Sequence, residues 1–489
     1  MSGFSVTRKK GIFGYVTSCR FVFLWSVAWG IATMAISPIV NYVTPFLNPN
    51  YANPWTPDIY WRLVLYWHGA IFIPWITALA VVVCMAFGLN EMTGFSGRLV
   101  RDSVFIGGTI AVPLASIAGI FDVYDNFALG IPLWSQIAAF LIGDEMAIAL
   151  IIAMLNKPRE TGLKVGLNYI TVLLGITAAL ISAVMGHIAG WITWFGPWPS
   201  IVPQYINSTL APSLGFYNST AVITFTENAV ASHSHLMLPS LMAGVVALVS
   251  TYYGYETSWS KKLKGLASAG FVVIIVSLIA TIWVYIVSGV GNYSIPTLFT
   301  SANGVNGLAA DDLLTGIIGF GALLVFSSLL SASKKSSSMQ VAVTWRDLSY
   351  LSIIAAWLII YLVIPVTGYY IEFHQTFYGG AGLSFDEAYT RFHQDFGFFV
   401  LPALVTAVLG LNMLGIDERR RVTSASLLLA GELVAFIFGE IYTMFSLNNL
   451  FLYAAIAGGV LMGLGASIGI SGVAIEKKPT KQLVARGGG

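Results

Sequence analysis

Twelve runs of about 20 apolar residues constrain the fold of this 489-residue chain more than any other feature of its sequence. A run of this length crosses the hydrocarbon core of a bilayer as a helix, because every backbone N–H and C=O must find its hydrogen-bond partner within the segment. We therefore predict an all-α polytopic membrane protein with twelve transmembrane helices. The predicted spans cover residues 20–46, 61–87, 99–121, 131–155, 165–193, 229–253, 265–289, 312–333, 348–370, 392–415, 422–445 and 448–474.

Charged side chains are too scarce for a soluble protein of this size. They make up 9% of the chain, against about 25% in an average globular protein, so most of the surface has to face lipid. This composition excludes a soluble enzyme, a nucleic-acid-binding protein and a disordered scaffold. The two cysteines, Cys19 and Cys84, support neither a disulfide framework nor a thiolate metal cluster.

The basic residues give the predicted helices a direction. If the N-terminus lies in the cytoplasm, all but two of the 24 lysines and arginines fall on the cytoplasmic side, and only Arg62 and Arg391 lie at the outer face. This asymmetry follows the positive-inside rule, and an even number of spans returns the C-terminus to the same side. We predict a multi-pass protein of the cell membrane with a cytoplasmic segment at 1–19, a membrane domain at 20–474 and a cytoplasmic tail at 475–489.

All the histidines of the chain are predicted to lie near the outer side of the membrane. An imidazole at the edge of the hydrocarbon needs a polar partner, and metals and hemes are the strongest partners there. A layer of histidines at one depth indicates a bound redox cofactor or metal; interfacial histidines without a ligand role are the alternative. The six are His68, His187, His233, His235, His374 and His393.

Four carboxyl groups fall inside predicted spans. Asp144 and Glu145 belong to the fourth span, and Glu432 and Glu440 to the eleventh. An ionised carboxylate at the bilayer centre costs on the order of 3 kcal/mol, so each of them is a functional candidate. We expect them to be buried and to transfer protons or deprotonate a quinol. Hydrogen bonding of a protonated acid between helices is the alternative.

Three short motifs resemble the catalytic subunit of the heme-copper oxidases and nitric oxide reductases. YWHGA at 66–70 is similar to the family's helix 2 pattern, and SHSH at 232–235 opens the sixth predicted span in the manner of its helix 6. Arg391-Phe392-His393 resembles the H-x-H of helix 10 with the first histidine replaced. The resemblance covers the whole chain by span count, and it implies that the twelve helices are arranged as in oxidase subunit I.

The resemblance implies a low-spin heme with His68 and His393 as its two axial ligands. The rest of the oxidase centre is degenerate, because no His-His pair lies near 283–286 and Arg391 stands where a histidine would ligate the high-spin heme. Arg391 is suited to pair with a heme propionate instead. We expect one or two hemes of the b type and no copper. A second heme or metal would draw its ligands from His187, His233, His235 and His374.

We accordingly predict an oxidoreductase or electron-transfer subunit, a membrane b-type cytochrome of a respiratory complex. Its expected partners are lipid, other respiratory subunits or a peripheral redox protein on the outer face, and quinol as a candidate electron donor. Three alternatives stay open: a terminal oxidase or reductase with a rearranged metal site, a structural subunit without cofactors, and a secondary transporter or permease.

The transporter alternative makes a structural prediction of its own. Transporters of this size often contain discontinuous helices, with matched breaks in the two halves of the chain. The candidate breaks here are Pro74, Pro113 and Pro239 in the first half, and Pro365 and Pro402 in the second. Their spacing does not match between the halves.

Overall fold

The computed structural model describes residues 18–47, 67–124, 131–194, 220–291, 310–335, 345–364, 366, 393–446 and 448–475. These residues are helical apart from short connections, and they contain no β-strand. Most of the predicted cytoplasmic segment and nearly all of the tail lie outside the described residues, as do His374 and Arg391. By their contacts the residues form two compact units, which are described separately.

Unit 1 comprises Met1–Thr44 and Arg62–Gly162. Two π-helical segments continue its α-helices: Trp67–Phe72 leads into the second helix, and Val100–Gly107 joins the third helix to the fourth. A short 3-10 turn, Leu89–Glu91, precedes the third helix. The α-helices are α1 (Cys19–Leu47), α2 (Ile73–Phe87), α3 (Gly94–Leu99), α4 (Gly108–Tyr124) and α5 (Ile131–Thr161).

Unit 2 comprises Pro45–Trp61 and Leu163–Gly489. Its α-helices are α6 (Leu167–Trp194), α7 (Thr220–Tyr252), α8 (Lys261–Gly291), α9 (Ala310–Lys335), α10 (Trp345–Leu358), α11 (Leu401–Leu414), α12 (Glu418–Ile441) and α13 (Asn449–Ile475). Three π-helical segments extend them. Ile359–Val363 continues α10, His393–Val400 leads into α11, and Tyr442–Ser446 continues α12.

Seven helices of the described chain are long and apolar enough to cross a membrane, and five shorter apolar helices of 10–17 residues accompany them. Each coincides with a predicted span, so the all-helical membrane class is confirmed, while the number of twelve crossings remains a prediction. The long helices are Gly94–Ile120, Trp134–Thr161, Leu167–His187, Lys261–Ile286, Leu313–Ala332, Glu418–Met444 and Asn449–Val473; the shorter ones are Cys19–Thr33, Ile73–Phe87, Leu236–Tyr252, Leu348–Val363 and Leu401–Leu414.

Several helices begin earlier than the apolar pattern predicts, and α3 and α12 are two of them. The third predicted span opens at residue 99, but the helix begins at Gly94, directly after the extended residue Thr93. The eleventh opens at residue 422, but α12 begins at Glu418. Asp417 accepts a hydrogen bond from the backbone N–H of Arg420 (3.1 Å) and so caps the helix. A polar capping residue, which a search for apolar runs excludes, therefore sets the start of α12, whereas Thr93 makes no capping hydrogen bond with its side chain.

Neighbouring helices of unit 2 approach closely where glycines face each other's backbone. A side chain at Gly175 of α6 would meet the carbonyl of Ser240 in α7 (2.6 Å). One at Gly270 of α8 would meet the carbonyl of Gly321 in α9 (2.5 Å). Small residues allow such approach between membrane helices, which gain little from apolar burial alone. Consecutive helices of unit 2 are thereby packed as antiparallel pairs.

Unit 1 is held together by hydrogen bonds between helices as well as by apolar packing. The indole N–H of Trp25 in α1 donates to the carbonyl of Thr109 in α4 (3.2 Å). Near the other end of the unit, the side-chain amide of Asn156 in α5 donates to the hydroxyl of Ser96 in α3 (3.0 Å). These bonds tie α1 to α4 and α5 to α3.

The prolines do not break the described helices. Pro74 comes two residues after the π-helical segment Trp67–Phe72 and Pro402 two residues after His393–Val400, and in each case the chain stays helical through the proline. Helix α4 continues through Pro113 and α7 continues through Pro239, whereas Pro365 lies outside the described residues. These four candidate prolines therefore do not supply the discontinuous helices that are typical of transporters.

Candidate functional site

His68 lies in the π-helical segment Trp67–Phe72 that leads into α2. Its side chain is half-buried, and its ring has two aromatic neighbours. The ring centroids are 6.2 Å apart for Phe72 of the same segment and 6.4 Å apart for Phe140 of α5. π-helical turns are rare in proteins, and those that occur are often found at functional sites. A half-buried imidazole with aromatic neighbours fits the surroundings of an axial heme ligand.

The glycine of the His-Gly step has a clear physical reason. A side chain at Gly69 would collide with the carbonyl of Ala115 in α4 (2.7 Å) and with the side-chain amide of Gln136 in α5. Gln136 is fully buried, as is Ser116, whose hydroxyl has no hydrogen-bond partner within the described part of the chain. Gly69 therefore lets the backbone that carries His68 lie directly against α4 and α5.

The second predicted axial ligand, His393, is the first residue of the π-helical segment His393–Val400. Only its backbone is described, and the same holds for His233 and His235 in α7. Both predicted axial histidines thus belong to π-helical segments that lead into an apolar helix. They lie in different compact units, His68 in unit 1 and His393 in unit 2.

The ring contact between Phe396 and Phe436 indicates which part of α12 lies beside the backbone of His393. Phe396, one turn after His393, stacks on Phe436 of α12, with 6.4 Å between ring centroids and 19° between ring planes. Helices α11 and α12 run antiparallel. Residues that precede Phe396 in the chain therefore lie at the level of residues that follow Phe436. The backbone register therefore places Glu440 close to the level of His393.

A contact between α6 and α7 gives the approximate levels of His187 and His233 along the two helices. Ala178 of α6 packs against Leu236 of α7, so the register of this antiparallel pair places His233 level with about residue 181. His187 lies about six residues farther along α6, which corresponds to roughly 9 Å. That the histidines form a single layer remains a prediction. Among the described side chains, no group of three or more His, Cys, Asp or Glu residues could hold a metal ion.

Glu432 is the most enclosed of the four predicted carboxyl groups. It is 0% exposed and lies between α12 and α10, where the hydroxyl of Ser352 donates to its Oε2 atom (3.0 Å). Its Oε1 atom is buried and has no hydrogen-bond partner within the residues that the structure describes. A buried carboxyl oxygen of this kind is costly unless it exchanges a proton or meets a transient partner.

Glu440 lies two helical turns beyond Glu432 on α12 and is half-buried. Its Oε1 atom is likewise buried without a hydrogen-bond partner among the described residues. Positions 432, 436 and 440 follow one another at intervals of four, so they form a gently rotating line along one side of the helix. The carboxyl groups thus lie on either side of Phe436.

The expectation that all four acids are buried is wrong for Glu145. Glu145 is exposed on α5, and the hydroxyl of the buried Ser103 donates to its Oε1 atom (2.8 Å). Asp144 is half-buried. The apolar side of α5 that packs into unit 1 contains Ala139, Met146 and Ala149. Glu145 lies outside that side of the helix, which the uniform hydrophobicity of the span did not reveal.

Sequence reasoning missed the polar side chains that accompany these groups. An isolated amide within an apolar run is easy to recognise in the sequence. Single serines are not, because they are common in membrane helices and their hydroxyls often donate to the backbone of their own helix. The first kind could have been found by searching each span for isolated amides. The missed residues are Gln136 beside Gly69, Ser103 beside Glu145, and Ser349, Ser352 and Asn412 near Glu432.

The chain matches no protein-family model, no curated protein and no solved structure. Function therefore has to be argued from the residues themselves.

Proposed function

We propose that the protein is a membrane b-type cytochrome that transfers electrons through a low-spin heme with His68 and His393 as axial ligands. When bound, such a heme supplies one-electron chemistry at iron, and the protein sets its surroundings. The observation that carries the proposal is the environment of His68: a half-buried imidazole between Phe72 and Phe140, on a backbone that Gly69 lets approach two other helices.

The second histidine supports the same proposal by its position in the chain. His393 lies in a π-helical segment before an apolar helix, as His68 does, and it follows Arg391 in the H-x-H-like motif. Arg391 would pair with a heme propionate, since a guanidinium binds a carboxylate through two parallel hydrogen bonds. Any second heme or metal would use His187, His233, His235 or His374.

The proposed partners follow from the class of protein. Electrons would come from a quinol in the membrane or from a neighbouring respiratory subunit, and they would leave to a peripheral redox protein on the outer face. The four acids, Asp144, Glu145, Glu432 and Glu440, are the proposed proton-transfer groups. A terminal oxidase or reductase would require a metal site rebuilt from the remaining histidines.

The test is a pyridine hemochrome assay, combined with a reduced-minus-oxidised spectrum of the purified protein. We expect b-type heme with a low-spin signal. His68→Ala and His393→Ala should each abolish that signal, because either change removes one axial ligand. His187→Ala is the control and should retain it. Protein without heme would overturn the proposal, as would a low-spin signal that survives in both axial-ligand variants.

A further inference from the structure

A fully buried carboxyl group lies where three helices of unit 2 meet. Glu432 of α12 is 0% exposed, and so are Ser349 and Ser352, which lie one turn apart on α10. The interface contains no ion pair to Glu432 among the described residues, so its charge has no compensation there. Ionising a carboxyl group in such a place is costly. Its charge state therefore depends on whether a proton can reach it and by which route.

A column of polar side chains leads from one end of the bundle to Glu432. The side-chain amide of Asn412, two residues before the end of α11, donates to the hydroxyl of Ser349 (3.1 Å). Ser352 follows Ser349 by three positions and so lies on the same side of α10. Its hydroxyl donates to Glu432 Oε2 (3.0 Å). Asn412 is half-buried, whereas the three groups beyond it are not exposed at all.

The end of the bundle at which this column begins is basic. Helix α12 begins there with Glu418, and Arg419, Arg420 and Arg421 follow. The carboxylate of Asp417 caps the helix. We call this end of α10, α11 and α12 the basic end. Charged residues keep it in contact with water or lipid headgroups, so Asn412 lies close to a source of protons.

Beyond Glu432 the line continues to Glu440. Eight residues separate the two acids along α12, which corresponds to about 12 Å, and Phe436 lies between them. Buried Glu432 Oε1 and Glu440 Oε1 each lack a hydrogen-bond partner within the described part of the chain. Both acids therefore have an oxygen free to accept a proton, and the second acid is close to the level of His393.

Few other titratable groups belong to the surrounding elements. Helix α11 has none, and α13 has only Tyr453, which is 62% exposed. On α10, the hydroxyl of Tyr350 donates to the carbonyl of Leu329 in α9 (3.1 Å). The remaining groups lie near the ends of the column: Arg346 and Asp347 at the start of α10, Tyr361 in the segment after it, His393 and Asp395 before α11, and Tyr442 after α12.

We propose that Glu432 is a proton-loading group fed from the basic end, past Asn412, Ser349 and Ser352. The Glu432 carboxylate takes one proton from water at that end and becomes a neutral carboxyl, and it then returns to carboxylate by passing the proton through intervening water to the carboxylate of Glu440. One proton enters and one is passed on, without a redox partner. The inference rests on the proposed function in one respect only, which is that electron transfer gives the proton transfer its role. The proton route ends close to the level of His393.

Infrared spectroscopy of the full-length protein in proteoliposomes tests this route without measuring any activity. Protonated carboxyl groups absorb separately from carboxylates, and the band shifts when the proton is exchanged for deuterium. We expect Glu432→Gln to remove one such band. Ser352→Ala should keep the band but slow its exchange on the order of tenfold, because the variant removes the group that contacts Glu432.

Ser328→Ala is the matched control. Ser328 is also a fully buried serine of unit 2, but its hydroxyl donates to a carbonyl of its own helix, Leu324 (3.1 Å). We expect this variant to exchange at the wild-type rate. D2O added on the side of the basic end should exchange the band faster than D2O added on the other side.

Three results would overturn the proposal: a spectrum that Glu432→Gln leaves unchanged, an exchange rate that Ser352→Ala does not alter, or faster exchange from the opposite side. If Glu432→Gln does not fold, Ser349→Ala takes its place and should slow the exchange as Ser352→Ala does. Heme content is measured on the same samples. Protein without heme would reject the cytochrome and leave the exchange result standing, so the two failures are distinguishable.

Discussion

At the scale of single residues, Gly69 shows how packing can determine the residue next to a candidate ligand. The residue follows His68, and the space that its side chain would occupy is taken by Ala115 and Gln136. The His-Gly step therefore combines a candidate ligand with the only residue type that fits beside it. A substitution at Gly69 should act on the position of His68 without touching its imidazole.

We expect Gly69→Ala to lower the midpoint of thermal unfolding and to weaken the low-spin heme signal. The added methyl group meets a backbone carbonyl at 2.7 Å, which cannot move aside as a flexible side chain could, and such overpacking costs about 1–3 kcal/mol. The control is Gly30→Ala in the same unit, where the nearest atom is Pro74 Cβ at 3.7 Å. Equal unfolding midpoints for the two variants would contradict this explanation of the glycine.

A buried lysine gives a second prediction at this scale. The ammonium group of Lys157 in α5 donates to the carbonyl of Gly88 (2.7 Å), and the residue is only 9% exposed. Gly88 ends α2 in the left-handed conformation, with φ at 63°. The lysine thus satisfies a carbonyl at the end of a helix and holds α5 to the turn that follows α2.

Lys157→Met keeps the length of the side chain and removes its charge and its hydrogen bond. We expect a loss of about 1–3 kcal/mol in stability, seen as a lower midpoint in thermal unfolding followed by circular dichroism. Lys164→Met is the control, because Lys164 is exposed, and it should unfold with the wild-type midpoint. The role assigned to Lys157 would be wrong if both variants behaved alike.

At the scale of elements, the pair α12–α13 shows which small residues form an interface. A side chain at Gly458 would meet the backbone of Ala435 and the carbonyl of Gly431, the latter at 2.7 Å, whereas nothing lies within 4 Å of the corresponding position at Gly459. The hydroxyl of Ser424 donates to the carbonyl of Gly465 (2.7 Å) across the same interface. One side of α13 is therefore in backbone contact with α12, and the neighbouring side is not.

Two adjacent substitutions separate these sides. Gly458→Ala should push the helices apart and destabilise the protein by about 1–3 kcal/mol. Gly459→Ala should be neutral or stabilising, because alanine is favoured over glycine in a helix by about 1 kcal/mol. Thermal unfolding of the two variants in the same detergent measures the difference. A larger loss for Gly459→Ala would mean that α13 presents another side to α12.

At the scale of the whole molecule, the number of crossings decides where the two ends of the chain lie. Seven long and five shorter apolar helices are described. If all of them cross, both ends lie on one side, and the distribution of lysine and arginine makes that side the cytoplasm. If one of the shorter helices does not cross, the ends are separated by the membrane.

Reporter fusions to each end test this directly. We expect a fluorescent protein that matures only in the cytoplasm to fluoresce at both ends, and alkaline phosphatase to be inactive at both. Fusion within the predicted outer loop at residues 194–228 is the control and should give the reverse pattern. Reporters that place the two ends on opposite sides would show that the number of crossings is odd.

The sequence by itself determined the class of the protein, because apolar runs of this length have one stable form in lipid. It also determined the candidate histidines and acids, since charged or imidazole groups stand out within such runs. Their roles remain proposals. Where the sequence failed, at the early start of α12, the capping residue Asp417 outside the apolar run set the boundary.

Only the tertiary structure decided which side of each helix faces a neighbour. The sequence of a uniformly apolar span gives almost no indication of its packed side, because lipid and protein interior are equally apolar. The sequence therefore did not distinguish Gly458 from Gly459, or buried Glu432 from exposed Glu145. It also could not bring Ser352 to Glu432, eighty positions apart. Contacts between distant helices depend on packing, and packing depends on shape that periodicity does not encode.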